Sequence, residues 1–205
     1  MLTKRYDLNI WRKKWKDLIS MSSKILCFSN SSVEILKKVY PDIDVSKILV
    51  KPHVVDYINS ITLENNNTDE LVIGVLGGIN NNKGLLIIKE ILSLIKRDRM
   101  QKIKVVIIGT TSEPIKDKKL FITGKYDRSQ IADLVRKHKI NLFMIPSIWP
   151  ETFSYTSEEV VRMGLPLFVF NIGAQAEKAT KYKEGIVVNE ISAEAMLNSI
   201  KNWFF

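Results

Sequence analysis

From Ile10 to Met21 the apolar residues Ile10, Trp11, Trp15, Leu18 and Ile19 recur at helical spacing, with Arg12, Lys13, Lys14, Lys16 and Asp17 between them. That pattern predicts an amphipathic helix. Its two Trp and its basic face would suit a membrane surface; the more ordinary use, a helix docked on a protein core, is the expectation here. Lys24-Ile25-Leu26-Cys27-Phe28 reads as a short buried strand, Ser29 to Ser32 as a helix start, Val33 to Val39 as the helix, and Ile48-Leu49-Val50 as a second strand. Together these make a small strand-helix-strand unit.

The stretch from Ile61 to Glu70, with three consecutive Asn and no apolar periodicity, marks a linker and a domain boundary at residues 66/67. Beyond it strands and helices alternate: Leu71 to Leu76 strand, Gly84 to Ile95 helix, Ile103 to Ile108 strand, Leu120 to Ile122 short strand, Ser129 to His138 helix, Leu142 to Ile145 strand, Thr156 to Met163 helix, Leu167 to Phe170 strand, Ala174 to Tyr182 helix, Ile186 to Val188 strand, and a last helix from Ala193. This alternation predicts an α/β fold, a Rossmann-like parallel sheet with helices on both faces. In such sheets ligands sit at the carboxyl ends of the strands, so the residues just after each strand are the first candidates for function.

Composition narrows the class. The chain has 205 residues, 45% hydrophobic and 26% charged, which suits a globular protein with its own core and disfavours a coiled coil or a disordered tail. No apolar run reaches the roughly 20 residues of a membrane span. The single cysteine, Cys27, excludes an internal disulfide and a cysteine-built metal cluster, and fits a reducing, cytoplasmic setting. Lys+Arg 31 against Asp+Glu 22 gives a net charge of +9, a field that favours phosphate-bearing partners or an anionic surface. Six basic residues fall in the first twenty (Lys4, Arg5, Arg12, Lys13, Lys14, Lys16) without the apolar core or cleavage site of a signal peptide, so this segment is read as part of the protein.

After the first long strand comes Gly77-Gly78-Ile79-Asn80-Asn81-Asn82-Lys83-Gly84: two glycines that let backbone approach a ligand, then a lysine at the mouth of a helix. The arrangement suits a phosphate and equally describes a Gly-rich turn with a solvated lysine. It is no P-loop, since Asn82 and Gly84 stand where Gly and Ser/Thr belong, and it does not spell G-x-G-x-x-G. Gly109-Thr110-Thr111 and Thr123-Gly124-Lys125-Tyr126 are turns that could also lay backbone against a nucleobase.

The segment from Pro146 to Glu159, PSIWPETFSYTSEE, is the most informative. Its two prolines keep the chain extended, leaving Glu151 in a loop at the sheet edge and Glu159 early in the next helix. Free N–H groups around Tyr155 and Thr156 would seat a diphosphate, and a nearby carboxylate could accept hydrogen bonds from sugar or ribose hydroxyls. Thr156-x-x-Glu159 also spells a capping box, which needs no ligand.

Glu151 and Glu159 are separated by seven residues, and Val160-Val161-Arg162-Met163-Gly164-Leu165-Pro166 follows. This resembles the E-x7-E motif and succeeding A-x-G-x-P element of the retaining glycosyltransferases of family four (glycosyl transferases group one), which have the two-domain GT-B fold. The resemblance extends to Gly77 through Lys83-Gly84, to Ile145-Pro146-Ser147, to Asn171-Ile172-Gly173-Ala174 with Glu177, and to Glu184 through Val188, covering nearly all of residues 70–200. The wording from Trp149 to Thr156 looks most like the rhamnosyltransferase-like branch that builds bacterial surface polysaccharides.

The resemblance implies that residues 67–205 form the nucleotide-sugar-binding C-terminal half of a GT-B fold, with residues 1–66 a remnant of the N-terminal acceptor domain and its crossover. It implies Glu151 and Lys83 as catalytic residues: Glu151 touches the transferred sugar and Lys83 the diphosphate. The donor-binding set is Gly77, Gly78, Lys83, Gly109, Gly124, Thr152, Phe153, Ser154, Tyr155, Thr156 and Glu159, with the backbone near Tyr155 and Thr156 on the phosphates and Glu159 on the ribose. Many members carry Arg where Gly78 stands, so one positive charge is missing here. His53 falls in the crossover, where a structural role is expected, and His138 near a helix end, where a cation suits the dipole. Neither has a metal partner at useful spacing, so no metal or other cofactor is expected, the donor being a substrate.

The implied activity is transfer of a sugar, of hexosyltransferase type, to a glycan or lipid-linked acceptor in polysaccharide or lipopolysaccharide biosynthesis. Its implied partner is the rest of a two-domain enzyme, so the isolated chain is expected to be weakly active. The cytoplasm is the expected location, with peripheral contact at the inner face of the membrane left open. Two rivals remain: a GT-B sugar-nucleotide epimerase or hydrolase, and a basic non-catalytic anion-binding module. Nucleic acid is not expected as a partner, because the basic residues are spread along the chain without a stacking aromatic platform.

Overall fold

A computed structural model describes residues 7–62, 70–100 and 102–205. Lys4 and Arg5, and the boundary expected at 66/67, lie outside the described residues. The chain divides into two compact units, Met1–His53 and Val54–Phe205, so the described residues 54–62 group with the second unit.

In the first unit, α1 (Leu8–Met21) is followed by β1 (Ile25–Cys27), α2 (Asn30–Val39) and β2 (Ile48–Val50). The Ser29 hydroxyl accepts from the Ser32 N–H and caps α2, while β1 and β2 pair in parallel from Ile25–Ile48 to Cys27–Val50. Burial raises the Cys27 thiol above its ordinary pKa, as expected of a small side chain used for packing. The expectation of a core-docked first helix is not met among the described residues of its own unit: α1 buries none of its residues there, and Trp11 and Trp15 are about half exposed. His53 stacks on Phe28 with ring centres 4.0 Å apart, a packing role as expected.

The second unit holds β3 (Leu71–Ile79), α3 (Leu85–Arg97), β4 (Ile103–Thr111), β5 (Leu120–Ile122), α4 (Ile131–Lys137), β6 (Leu142–Ile145), α5 (Tyr155–Met163), β7 (Leu167–Phe170), α6 (Gly173–Lys181), β8 (Gly185–Val188) and α7 (Ala193–Phe204). The strands form one parallel sheet in the order β5-β4-β3-β6-β7-β8. Period-two alternation places Leu71, Ile73 and Val75 with Ile103, Val105 and Ile107 in the core built with α3 and α7. The alternate residues Val72, Leu76, Val106 and Ile108 are buried on the opposite face. Phe143, Phe168 and Phe170 are fully buried, and truncating a phenylalanine of this kind to Ala costs about 3–5 kcal/mol.

Chain order reverses between β3 and β6, the switch point at which ligands lodge in open α/β sheets. β3 stays paired with β4 out to Ile79–Thr111, but with β6 it pairs only at Ile73–Leu142 and Gly74–Phe143. Beyond Gly74 the two strands part, and the segments that follow them line the resulting crevice. β3 also runs three residues further than the apolar pattern indicated, through Gly77-Gly78-Ile79. The reason is a glycine pair: Gly77 lies opposite Gly109, and a Cβ on Gly109 would sit 2.0 Å from the Gly77 carbonyl oxygen. Only glycine permits that approach.

Candidate functional site

The segment after β3 and the segment after β6 are tied together by backbone. Ile148 N–H donates to the Asn82 carbonyl at 3.0 Å, and the Ser147 hydroxyl lies 3.2 Å from the same oxygen and 3.1 Å from the Trp149 carbonyl. Asn80 Oδ1 accepts from Lys83 N–H at 3.0 Å, shaping the approach to α3. A Cβ on Gly84 would lie 2.0 Å from the Pro146 carbonyl, so this left-handed residue (φ 83°) lets α3 start against Pro146. The result places Lys83 Nζ 4.0 Å from Glu151 Oε1, with the lysine 43% exposed and the glutamate 16%. A cation and a carboxylate therefore face one another across the crevice, both reachable from solvent.

The Glu151 segment is held from α6. Gln175, fully buried, accepts from Glu151 N–H through Oε1 at 3.1 Å and donates through Nε2 to the Trp149 carbonyl at 2.9 Å. Ala174 N–H adds a bond to the Glu151 carbonyl at 2.9 Å. Gly173 fits because a Cβ there would come within 2.7 Å of the Glu151 nitrogen. Gln175 satisfies donors and acceptors that would otherwise be left unmade, and thereby fixes the backbone carrying the carboxylate. It stands next to the Asn171–Ala174 stretch; a glutamine among the small residues of Gly173-Ala174-Gln175-Ala176 was the available signal.

α5 begins at Tyr155, one residue earlier than expected, and its N-cap is Ser154 in the left-handed region (φ 62°). Ser154 makes no side-chain cap; its hydroxyl pairs with the Ser157 hydroxyl at 2.7 Å. A non-glycine residue at positive φ is uncommon and concentrates at binding sites, where surrounding structure enforces it. The first turn of α5 stands beside β3: Thr156 Cγ2 is 3.4 Å from where a Gly77 Cβ would be. The helix N-terminus, with its partial positive charge, thus faces the glycine-lined end of β3. Gly78 is exposed there beside Thr110, and Thr152 is exposed in the segment before α5. Phe153 is 4% exposed, edge-on to Tyr155 at 4.9 Å and under Lys178, so its ring belongs to packing.

The capping-box alternative for Glu159 is not what forms. Its carboxylate instead accepts the hydroxyl of Tyr57, a residue 102 positions away in sequence. Glu159 is 3% exposed, and burial raises its pKa above the ordinary glutamate value despite the opposing Tyr57 hydrogen bond and the positive charges of Arg128 and Lys83. Arg128 lies over the Tyr57 ring at 5.0 Å and the Tyr155 ring at 5.6 Å. Tyr126 sits nearby, its phenol pushed up to about 12 by burial and by Glu159. Tyr57 and Arg128 were not visible in the sequence, and Tyr126 stood out only as part of the Thr123–Tyr126 turn, because nothing local links the three to Glu159.

Gly124, just after β5, and Gly109, near the end of β4, come together, Gly124 N–H donating to the Gly109 carbonyl at 2.9 Å, while Gly109 N–H donates to the Thr123 hydroxyl at 3.0 Å. Among the described residues, nothing beyond its chain neighbours lies within 4 Å of a Gly124 Cβ position, so this backbone is open on one side. His138 departs from expectation: it caps α4 against Phe121 at 4.7 Å, and burial with neighbouring Lys137 lowers its pKa, which disfavours the cation. Among the described residues no group of three or more His, Cys, Asp or Glu could hold a metal ion, and no helix is long and apolar enough to cross a membrane.

Comparison with known proteins gives this geometry a context. Residues 59–204 match the family model described as glycosyl transferases group 1. No curated protein gives a significant sequence match. Among solved structures, a sucrose-phosphate synthase from Thermosynechococcus elongatus is 14% identical with a TM-score of 0.74 over 98% of this chain and 54% of its own. Anabaena HepE in complex with UDP and glucose is 12% identical, TM-score 0.73, over 97% and 58%. A glycosyltransferase from Rickettsia africae is 21% identical, TM-score 0.72, over 96% and 57%. The chain therefore spans little more than half the length of these structures, and at such identities they establish a shared fold, that of the Rossmann-like domain of GT-B proteins.

Proposed function

This chain belongs to the glycosyl transferases group 1 family, and on that footing we propose that its crevice is the nucleotide-sugar site of a retaining glycosyltransferase. The observation that carries the reading is the convergence, at one sheet switch point, of Lys83, Glu151, the α5 N-terminus and Glu159. Each offers the interaction one part of a sugar nucleotide requires. Lys83 and the α5 N–H groups take the diphosphate, Glu151 a hydroxyl of the transferred sugar, Glu159 the ribose, and the Gly109–Gly124 backbone the base. That Anabaena HepE was solved with UDP and with UDP-glucose supports a nucleoside-diphosphate sugar as the donor.

In the proposed reaction the bond between the anomeric carbon and the diphosphate oxygen breaks, and negative charge grows on the departing phosphate. A preorganised lysine and oriented backbone N–H groups stabilise that charge more in the transition state than in the ground state, which is what accelerates the step. The acceptor hydroxyl then bonds to the anomeric carbon on the face the diphosphate leaves, and its proton passes to the departing phosphate oxygen. A glycan or lipid-linked acceptor, a role in surface-polysaccharide biosynthesis of the rhamnosyltransferase-like kind, and an acceptor-binding half beyond residues 67–205 complete the proposal. No resident cofactor is included.

Thermal unfolding with UDP, GDP, ADP, CDP, dTDP and their sugar conjugates tests this reading. At 100 times its Kd a ligand stabilises the fold by about 2.7 kcal/mol, or about 5–10 °C for a chain of this size. A rise with one base that disappears in Glu159→Ala supports the donor site; no rise with any nucleotide counts against it.

A further inference from the structure

The residue that covers Glu159 does not come from the helices around the crevice. It comes from residues 54–62, a segment without helix or strand that is anchored by the buried side chains of Val55, Ile58 and Ile61 and by the Ile61 N–H bond to the Met163 carbonyl at 3.0 Å. The segment thus runs along α5 and delivers the Tyr57 hydroxyl to Glu159 Oε1. Burial and the adjoining carboxylate hold the Tyr57 phenol well above its ordinary pKa, so it remains a proton donor at any physiological pH. Tyr57 itself is only partly buried, and Arg128, which lies against its ring, is exposed.

With Glu159 only 3% exposed and Tyr57 bonded to its carboxylate, a ribose cannot reach that oxygen while this cover stays in place. Of the groups around it, Tyr57 is the one bonded to the carboxylate, it stands on a segment without helix or strand, and its hydroxyl has the chemistry of the ribose hydroxyl it would give way to: a neutral O–H donating to the same oxygen. We propose that Tyr57 is a gate on the nucleotide site, its hydroxyl occupying the ribose seat on Glu159 and exchanging for a ribose hydroxyl when a nucleotide binds. The inference rests on the donor-site reading given above. Its consequence is a binding tax: apparent affinity is reduced by the fraction of molecules in which the gate is closed.

Tyr57→Phe keeps the ring, its packing and the Arg128 contact while removing the competing hydroxyl. The test is the Kd of UDP, GDP, ADP and CDP, each beside its 2′,3′-dideoxy form, for the wild-type chain and for Tyr57→Phe, with thermal unfolding confirming that both are folded. The gate predicts that a ribonucleotide binds Tyr57→Phe about tenfold more tightly, the order expected for loss of one competing hydrogen bond to a charged group. The dideoxy form, which has no hydroxyl to place on Glu159, gains nothing. A ribonucleotide that binds the wild type with unchanged or weaker affinity in Tyr57→Phe, or an equal gain for the dideoxy form, overturns the gate and leaves the donor site standing. Failure of every nucleotide to bind either protein overturns the donor-site reading and the gate with it.

Discussion

Lys83→Ala removes the cation that faces Glu151 at 4.0 Å, and its effect on nucleotide binding can be sized from that geometry. A hydrogen bond from an ammonium to a phosphate contributes about 1.5–3 kcal/mol when well shielded. Lys83 is 43% exposed, so screening places it at the lower end, about 1.5 kcal/mol or roughly a tenfold weaker Kd. A second effect adds to it. Without Lys83 the Glu151 carboxylate faces the diphosphate uncompensated, a like-charge repulsion of at most about 1 kcal/mol in a water-like medium. The combined expectation is a loss of up to roughly 50-fold to 100-fold, at about 1.4 kcal/mol per decade. Because the second part comes from Glu151, the double variant Lys83→Ala/Glu151→Gln should recover up to about fivefold of it. Thermal stability should move by no more than about 0.5 kcal/mol, since the lysine is a half-exposed surface side chain. Titration calorimetry with the preferred nucleoside diphosphate, at two salt concentrations, measures all of this. An unchanged Kd in Lys83→Ala, with unchanged salt dependence, would refute the assignment of Lys83 to the phosphates.

Gln175→Ala leaves Glu151 N–H and the Trp149 carbonyl without their side-chain partner, and should cost about 2 kcal/mol, a fall of roughly 4–8 °C in Tm, together with weaker sugar-nucleotide binding; an unchanged Tm would remove its positioning role. For Glu159 the folded-state pKa is raised by burial, so the folded form holds its proton more tightly than the unfolded chain. Its contribution to stability is therefore present below the ordinary glutamate pKa and is lost as pH rises through the raised value. Glu159→Gln should raise Tm at neutral pH and flatten that part of the pH profile while weakening nucleotide binding, a trade read by calorimetry and titration on the same samples. Gly109→Ala places a methyl 2.0 Å from the Gly77 carbonyl at φ 143°, and should lower stability by at least about 2 kcal/mol in a urea melt.

The sheet and its helices were legible because each strand from Leu71 onward is an apolar run bounded by turn residues, and each intervening helix carries its own stripe. Boundaries moved where local pattern was outweighed by tertiary contact. β3 extends through Gly77-Gly78 because Gly109 admits a close neighbour, and α5 starts at Tyr155 because Ser154 is forced into the left-handed region. At the candidate site, Lys83, Glu151 and Glu159 could be picked out from spacing and resemblance, since Lys83 and Glu151 lie in the segments after strands and Glu159 one turn into the helix that follows. Tyr57 and Arg128 could not, because they reach Glu159 through folding alone. Gln175 lay between: its chemistry stands out in a small-residue helix, but its two partners at Trp149 and Glu151 appear only once α6 is placed against the β6 loop. The unburied face of α1 likewise escaped the pattern, which reports where apolar side chains lie on a helix and not what covers them.

The measurement that bears most directly on the central claim is a crystal structure of this chain with the nucleoside diphosphate selected by thermal unfolding. The account predicts the diphosphate within hydrogen-bonding distance of Lys83 Nζ and the first N–H groups of α5, with a ribose hydroxyl on Glu159. A nucleotide bound away from the crevice between β3 and β6, or in it with Lys83 and Glu159 both out of contact, would contradict it.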